Sequence, residues 1–189
     1  DQEYGGQRVT LTATLGKARI HLQVDIGFGD VITPAPDHIE YPSLLGLPSP
    51  RVRAYPKETV IAEKLEAMVT LGMANSRMKD FYDVWMMSRE LQFDGRTLTQ
   101  AIQATFQRRR SELPHTSPTA FTEEFAGNYD KGRQWNAFLS RNRLDAGGLG
   151  VTQVIRQMRL LLMPPMIAGA NGQSFEESRA AGGPQEAMT

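Results

Sequence analysis

The sequence predicts an α+β protein, in which a short N-terminal β piece is followed by a helical bundle. Three observations carry this. Residues 8–15 and 19–26 alternate apolar and polar side chains on either side of Gly16-Lys17, which is the period of strands. From Pro56 onward apolar side chains recur every three or four positions, which is the period of helices. Residues 166–189 are small, polar and glycine-rich, and read as a disordered tail. The expected organisation is therefore β structure over 1–55, a helical domain over 56–165 and a tail over 166–189.

Taken in order, residues 8–15 (Arg-Val-Thr-Leu-Thr-Ala-Thr-Leu) are rich in β-branched side chains and form the first strand. Gly16-Lys17 makes a tight turn into the second, residues 19–26. There Ile20, Leu22, Val24 and Ile26 share one face, and His21, Gln23 and Asp25 share the other. Residues 27–56 are interrupted by Gly and Pro and read as loop, with a short strand near 51–54. The first helix opens at Pro56, with Val60, Ile61, Leu65, Met68, Val69 and Leu71 as its apolar stripe. A second helix runs from Asp80 to Leu91, with Phe81, Val84, Trp85 and Ser88 on one side. A third spans Thr97 to about Glu112. Phe121–Tyr129 is mixed, Lys131–Arg143 is helical with Trp135, Phe138 and Leu139 buried, and Thr152–Met163 is helical up to Pro164-Pro165.

Composition narrows the function classes. The 189 residues suit one ordinary domain or two small ones. Lys+Arg and Asp+Glu are balanced at 21 each, so there is no overall drive toward nucleic acid and any such binding rests on local patches. The absence of cysteine excludes disulfides and thiolate metal sites, and is compatible with the cytoplasm, the expected location. No run of about 18 apolar residues crosses a membrane. The N-terminal Asp-Gln-Glu-Tyr-Gly-Gly is not a signal peptide and lacks a starting Met, so the chain reads as a fragment or processed product.

Charges set among core positions mark the candidate chemistry, because a charge there costs several kcal/mol unless it is paired or used. Asp25 lies in an alternating strand beside His21 and Gln23, where it suits metal-assisted or base chemistry or simply an exposed polar face. Lys64 borders the stripe of the first helix, one residue before Leu65 and three after Ile61. Its ammonium suits nucleotide phosphates or a snorkelling surface position. Glu58 and Glu63 read as solvated, and Glu58 also favours the helix N-terminus. Asp80 and Asp83 share a helix face, with Lys79 in ion-pair reach of Asp83 and Arg77 just before. His21, His38 and His115 show no metal-ligand spacing. No phosphate loop, dinucleotide fingerprint or Ser-His-Asp order is present. Arg108-Arg109-Arg110 suits RNA phosphates or ordinary helix C-terminal charge.

Three segments resemble the AbiEii-type abortive-infection nucleotidyltransferase toxin family, within the DNA polymerase β-like nucleotidyltransferase superfamily. Val24-Asp25-Ile26-Gly27-Phe28-Gly29-Asp30 resembles its second motif. Glu58-Thr59-Val60-Ile61-Ala62-Glu63-Lys64-Leu65-Glu66-Ala67 resembles its third. Arg77-Met78-Lys79-Asp80-Phe81-Tyr82-Asp83 resembles its fourth. The third and fourth together are specific. The family's first motif, a Gly-Ser or Gly-Gly turn with a pair of Mg²⁺-binding carboxylates, is expected upstream of residue 1.

The resemblance implies that residues 1–55 are the C-terminal part of a nucleotidyltransferase β core. It implies Asp25 as a catalytic carboxylate and Mg²⁺ ligand, Lys64 as the cation that neutralises the triphosphate, and Asp80 as a catalytic or positioning carboxylate. Arg77 and Lys79 join Lys64 as nucleotide-binding residues. It further implies an NTP as donor, RNA (tRNA foremost) as acceptor, a cognate antitoxin protein as partner, and a role in growth arrest or phage defence. Two other readings stand beside the enzyme: a truncated, non-catalytic RNA- or protein-binding module, and a structural helical adaptor.

Overall fold

The computed structural model describes residues 6–180. The expected tail over 181–189 lies outside the described residues. The chain divides into two compact units, Asp1–Val31 and Ile32–Thr189.

The first unit is a hairpin of β1 (Gly6–Leu15) and β2 (Ala18–Gly27), joined through Gly16 in the left-handed region at φ 59°. Its register follows the alternation of the sequence. Val9 pairs with Val24, Leu11 with Leu22 and Ala13 with Ile20 on one face. Arg8 pairs with Asp25, Thr10 with Gln23 and Thr12 with His21 on the other. Neither face is buried: every residue of both strands is exposed, Leu11 and Leu22 about half so at 51% and 46%.

The second unit begins with a small sheet of β3 (Asp37–Glu40) and β4 (Arg51–Ala54), paired antiparallel. The strand expected near 51–54 is β4. Its partner was hidden in a stretch that Gly and Pro make look like loop. Thr59 then ties the preceding segment to the first helix: its Oγ1 donates to the Thr33 carbonyl at 2.7 Å and accepts from the Thr33 N–H at 3.0 Å.

Six α-helices follow among the described residues: α1 (Lys57–Leu71), α2 (Met78–Glu90), α3 (Gly95–Arg109), the single turn α4 (Glu123–Ala126), α5 (Tyr129–Asn142) and α6 (Val151–Ala170). Their apolar stripes meet in one core. Ile61, Leu65 and Met68 of α1, Phe81 and Trp85 of α2, Ile102 and Phe106 of α3, Phe125 of α4, Trp135 of α5 and Met158 and Leu162 of α6 are all buried. Phe81 stacks on Phe125 with ring centres 5.6 Å apart. Burying one such ring contributes about 1.5–3 kcal/mol. The ends are set locally. Pro56 precedes α1, Gly72 closes it at φ 48°, and Asp94, Thr122 and Asn128 cap α3, α4 and α5 through their side chains.

One boundary differs from expectation. α6 does not stop at Pro164 but runs through both prolines to Ala170. A proline inside a helix removes one backbone donor and crowds the preceding turn. Packing overrides this here: Leu161, Leu162, Pro165, Met166 and Gly169 are buried, and Gln103 Nε2 of α3 donates to the Gly169 carbonyl at 2.9 Å. The tail expected from residue 166 therefore starts inside a packed helix. Residues beyond it also pack, since Phe93 and Arg179 exchange two backbone hydrogen bonds at 2.9 and 2.8 Å. Gly95 permits this close passage, because a Cβ there would lie 2.3 Å from the Glu177 carbonyl oxygen and 2.6 Å from Phe175 Cδ1.

Candidate active site

α1 and α2 bring four of the predicted residues together. On α1, Ile61, Ala62, Leu65 and Met68 face the core and place Lys64 at the margin of that stripe. On α2, Met78, Phe81, Val84 and Trp85 are buried, which turns Asp80 and Asp83 onto one flank. Lys64 Nζ donates to Asp80 Oδ1 at 2.7 Å and to Asp83 Oδ2 at 2.8 Å. Lys79, one turn before Asp83, donates to the same Asp83 oxygen at 2.5 Å. Lys64 thus bridges the two segments that resemble the third and fourth motifs, and Asp83 is shared between two lysines.

The electrostatics follow from this geometry. Burial works against the Lys64 ammonium, but its hydrogen bonds to Asp80 and Asp83, together with their charges, outweigh it and hold Lys64 above the ordinary lysine range. The group is therefore charged at neutral pH. The four side chains carry two positive and two negative charges, so the set is neutral and self-satisfied. An incoming phosphate has to draw Lys64 from at least one carboxylate.

The start of α2 is held by a residue that sequence reading missed. Arg77 is exposed, and its backbone N–H donates to Asn75 Oδ1 at 2.9 Å. Asn75 is fully buried, and its Nδ2 has no hydrogen-bond partner. The Asn75 carbonyl accepts from Lys131 Nζ at 2.6 Å. Lys131 falls inside an expected helix, where no local pattern distinguishes it from a solvated lysine. Glu66 was also missed. It is buried and accepts from Thr70 at 2.8 Å and Ser111 at 2.5 Å. Glu58, expected in solvent, is buried in the first turn of α1, with Lys57 Nζ 3.5 Å from its Oε1. Core packing around Thr59 and Ile61 draws it inward, where the N-terminal end of the helix dipole favours its charge. Glu63 is half-buried rather than free in water, 3.9 Å from Arg109 Nη2.

Asp25 lies in the hairpin unit, on the polar face. Arg8 grips it twice, Nε to Oδ1 at 2.6 Å and Nη2 to Oδ2 at 3.2 Å, and Gln23 Nε2 donates to Oδ2 at 3.0 Å. The Arg8 hydrogen bond holds the Asp25 carboxyl below the usual carboxylate range; desolvation opposes it, and the Gln23 hydrogen bond and the Arg8 charge assist. Mg²⁺ requires a near-octahedral oxygen set. Among the described residues, no group of three or more His, Cys, Asp or Glu side chains comes together to hold a metal ion. Asp25 would supply a single ligand already engaged by Arg8, so the described residues by themselves do not make up a Mg²⁺ site.

Among the described residues no helix is long and apolar enough to cross a membrane. A family model described as "Nucleotidyl transferase AbiEii toxin, Type IV TA system" matches residues 1–147. No curated protein and no solved structure matches the chain.

Proposed function

Since the chain belongs to the AbiEii nucleotidyl transferase toxin family of type IV toxin–antitoxin systems, we propose that it serves nucleotide transfer from an NTP to RNA, with tRNA the foremost acceptor, and that a cognate antitoxin restrains it in the cytoplasm. The observation that carries this reading is the Lys64 bridge to Asp80 and Asp83, which ties together the two most specific motifs of the sequence. In the proposed reaction an acceptor hydroxyl oxygen attacks the α-phosphorus of the NTP. The bond to the bridging oxygen breaks and pyrophosphate leaves with the electron pair. The hydroxyl proton passes to a carboxylate, for which Asp25 is the candidate.

Lys64 is proposed to neutralise charge on the phosphates, exchanging one carboxylate for a phosphate oxygen while the other holds it in place. Asp80 is the positioning carboxylate for that ammonium. Arg77 and Lys79 are exposed and are proposed as further cationic contacts to the nucleotide, Lys79 by leaving Asp83. Mg²⁺ would supply charge neutralisation on the triphosphate, with Asp25 contributing at most one ligand.

A second reading, a non-catalytic RNA- or protein-binding module, is favoured by one observation: Lys64, Asp80 and Asp83 satisfy one another without a ligand. Growth arrest on expression of the full-length protein separates the two. Lys64→Ala and Asp80→Ala should each abolish arrest while circular dichroism stays that of the parent. Asp25→Asn should do the same, since the proposed reaction uses its carboxylate as the proton acceptor. Two folded variants at 64 and 80 as toxic as the parent would overturn the enzyme reading in favour of the module.

A further inference from the structure

Lys131 is a buried cation that the proposed chemistry does not use. It projects from the first turn of α5, and its ammonium meets a carbonyl and a ring face: Nζ donates to the Asn75 carbonyl at 2.6 Å and sits 4.8 Å from the centre of the Phe125 ring. A methionine or leucine would fill comparable space without the cost of burying a charge. Burial lowers the affinity of Lys131 for its proton, with Asp130 only partly countering it.

Both of its contacts lead to the same place. Asn75, held by its carbonyl, presents Oδ1 to the N–H of Arg77, the residue that precedes α2. Phe125, held by its ring face, stacks on Phe81 of α2. Phe81 is adjacent to Asp80, and the Asp80 N–H donates to the Arg77 carbonyl at 2.9 Å. The unsatisfied Asn75 Nδ2 adds a second local cost at the same junction. Two costly polar groups at one helix start mark a place where geometry is being specified rather than stability maximised.

We infer that Lys131 is a positioning residue for the Lys64–Asp80–Asp83 site, setting the start of α2 and thereby where its carboxylates meet the Lys64 ammonium. The inference rests on the catalytic reading of Lys64 for its functional consequence, though not for its structural one. Lys131 touches no substrate in this scheme. It acts through Asn75 and Phe125 on Asp80, and through Asp80 on Lys64.

The test uses Lys131→Met in the full-length protein, read by the Nζ resonance of Lys64 in NMR, its exchange with solvent, and growth arrest. The expected result is a melting temperature close to the parent's, a displaced Lys64 Nζ signal, exchange faster by about tenfold, and weakened arrest. A purely structural lysine would leave the Lys64 signal in place. A folded Lys131→Met with a parent-like Lys64 signal overturns the inference. If Lys131→Met does not fold, Lys131→Arg decides. It keeps a cation over Phe125 but displaces the donor, so a shifted Lys64 signal supports the inference and an unshifted one overturns it. Lys64→Ala serves as the control: arrest that survives it overturns the enzyme reading, whatever the Lys64 signal reports about Lys131.

Discussion

Arg8–Asp25 in the hairpin and Lys64–Asp80–Asp83 in the helical unit are contacts of one chemical kind in opposite surroundings. Arg8 and Asp25 leave 64% and 57% of their side chains in solvent, whereas Lys64 and Asp80 each leave 17%. Water competes for the first pair and screens it, so its hydrogen bonds shape the carboxylate more than they stabilise the fold. The second set is fixed by the core beneath it, and breaking it strands a partly desolvated charge. The same contrast holds for the apolar side chains: Val24 is half exposed, while Phe81 is fully buried. A motif residue in the hairpin is thus placed by strand register alone, and one in the helices by packing.

The comparison breaks most visibly at the core. Phe81→Ala should destabilise the helical unit by about 3–5 kcal/mol, whereas Val24→Ala in the hairpin should stay within about 0.5 kcal/mol. Denaturant unfolding of both variants checks this, and similar losses would erase the distinction. A smaller effect is expected from Asp80→Ala, which leaves Lys64 with Asp83 as its remaining carboxylate: about 1–2 kcal/mol, less than a fully buried pair because some solvent reaches the group. An unchanged unfolding midpoint would show that the set is held no more firmly than a surface pair.

The smallest effects separate by pH. Lys64 has a folded-state pKa raised above its ordinary value of 10.5, so its contribution is complete below that value and is lost as pH rises above it. Asp25 is lowered from 3.8, so its contribution is present above that value and is lost as pH falls below it. The Asp25 loss should be too slight to move the melting temperature, since the pair stands in water, whereas the alkaline loss at Lys64 should be visible against a Lys64→Met control. An acid loss cancelled by Asp25→Asn and larger than the alkaline one would reverse the ranking.

Periodicity carried much of this architecture. The alternation at 19–26 located β2 and its two faces, and the helical stripe after Pro56 located α1 and α2 with Ile61, Leu65, Phe81 and Trp85 in one core. The pairing of Asp80 and Asp83 on one flank was legible from their spacing, and that of Lys79 with Asp83 likewise. What escaped depends on distant partners. Asn75 and Lys131 lie 56 positions apart, and Ser111 reaches Glu66 from 45 positions away. Neither contact leaves a local trace. β3 was masked by the prolines around it, and the length of α6 by the prolines within it. The burial of Glu58 follows from how the first turn of α1 packs, which its spacing does not encode.

The two prolines of α6 bear on the order in which the molecule assembles. A segment that gives up two backbone donors in its C-terminal half has little helical tendency there of its own, and Pro costs about 3 kcal/mol in a helix interior. The last turns of α6 therefore cannot serve as an early nucleus on which other helices condense. They have to be recruited, Met166 and Gly169 taking helical form once α3 offers Gln103 and the wall beside it. A synthetic peptide of residues 151–170 should accordingly show little helical circular dichroism in water, and amide exchange in the intact protein should find 166–170 opening more readily than the middle of α3. Strong helicity in the free peptide would place α6 among the elements that form first.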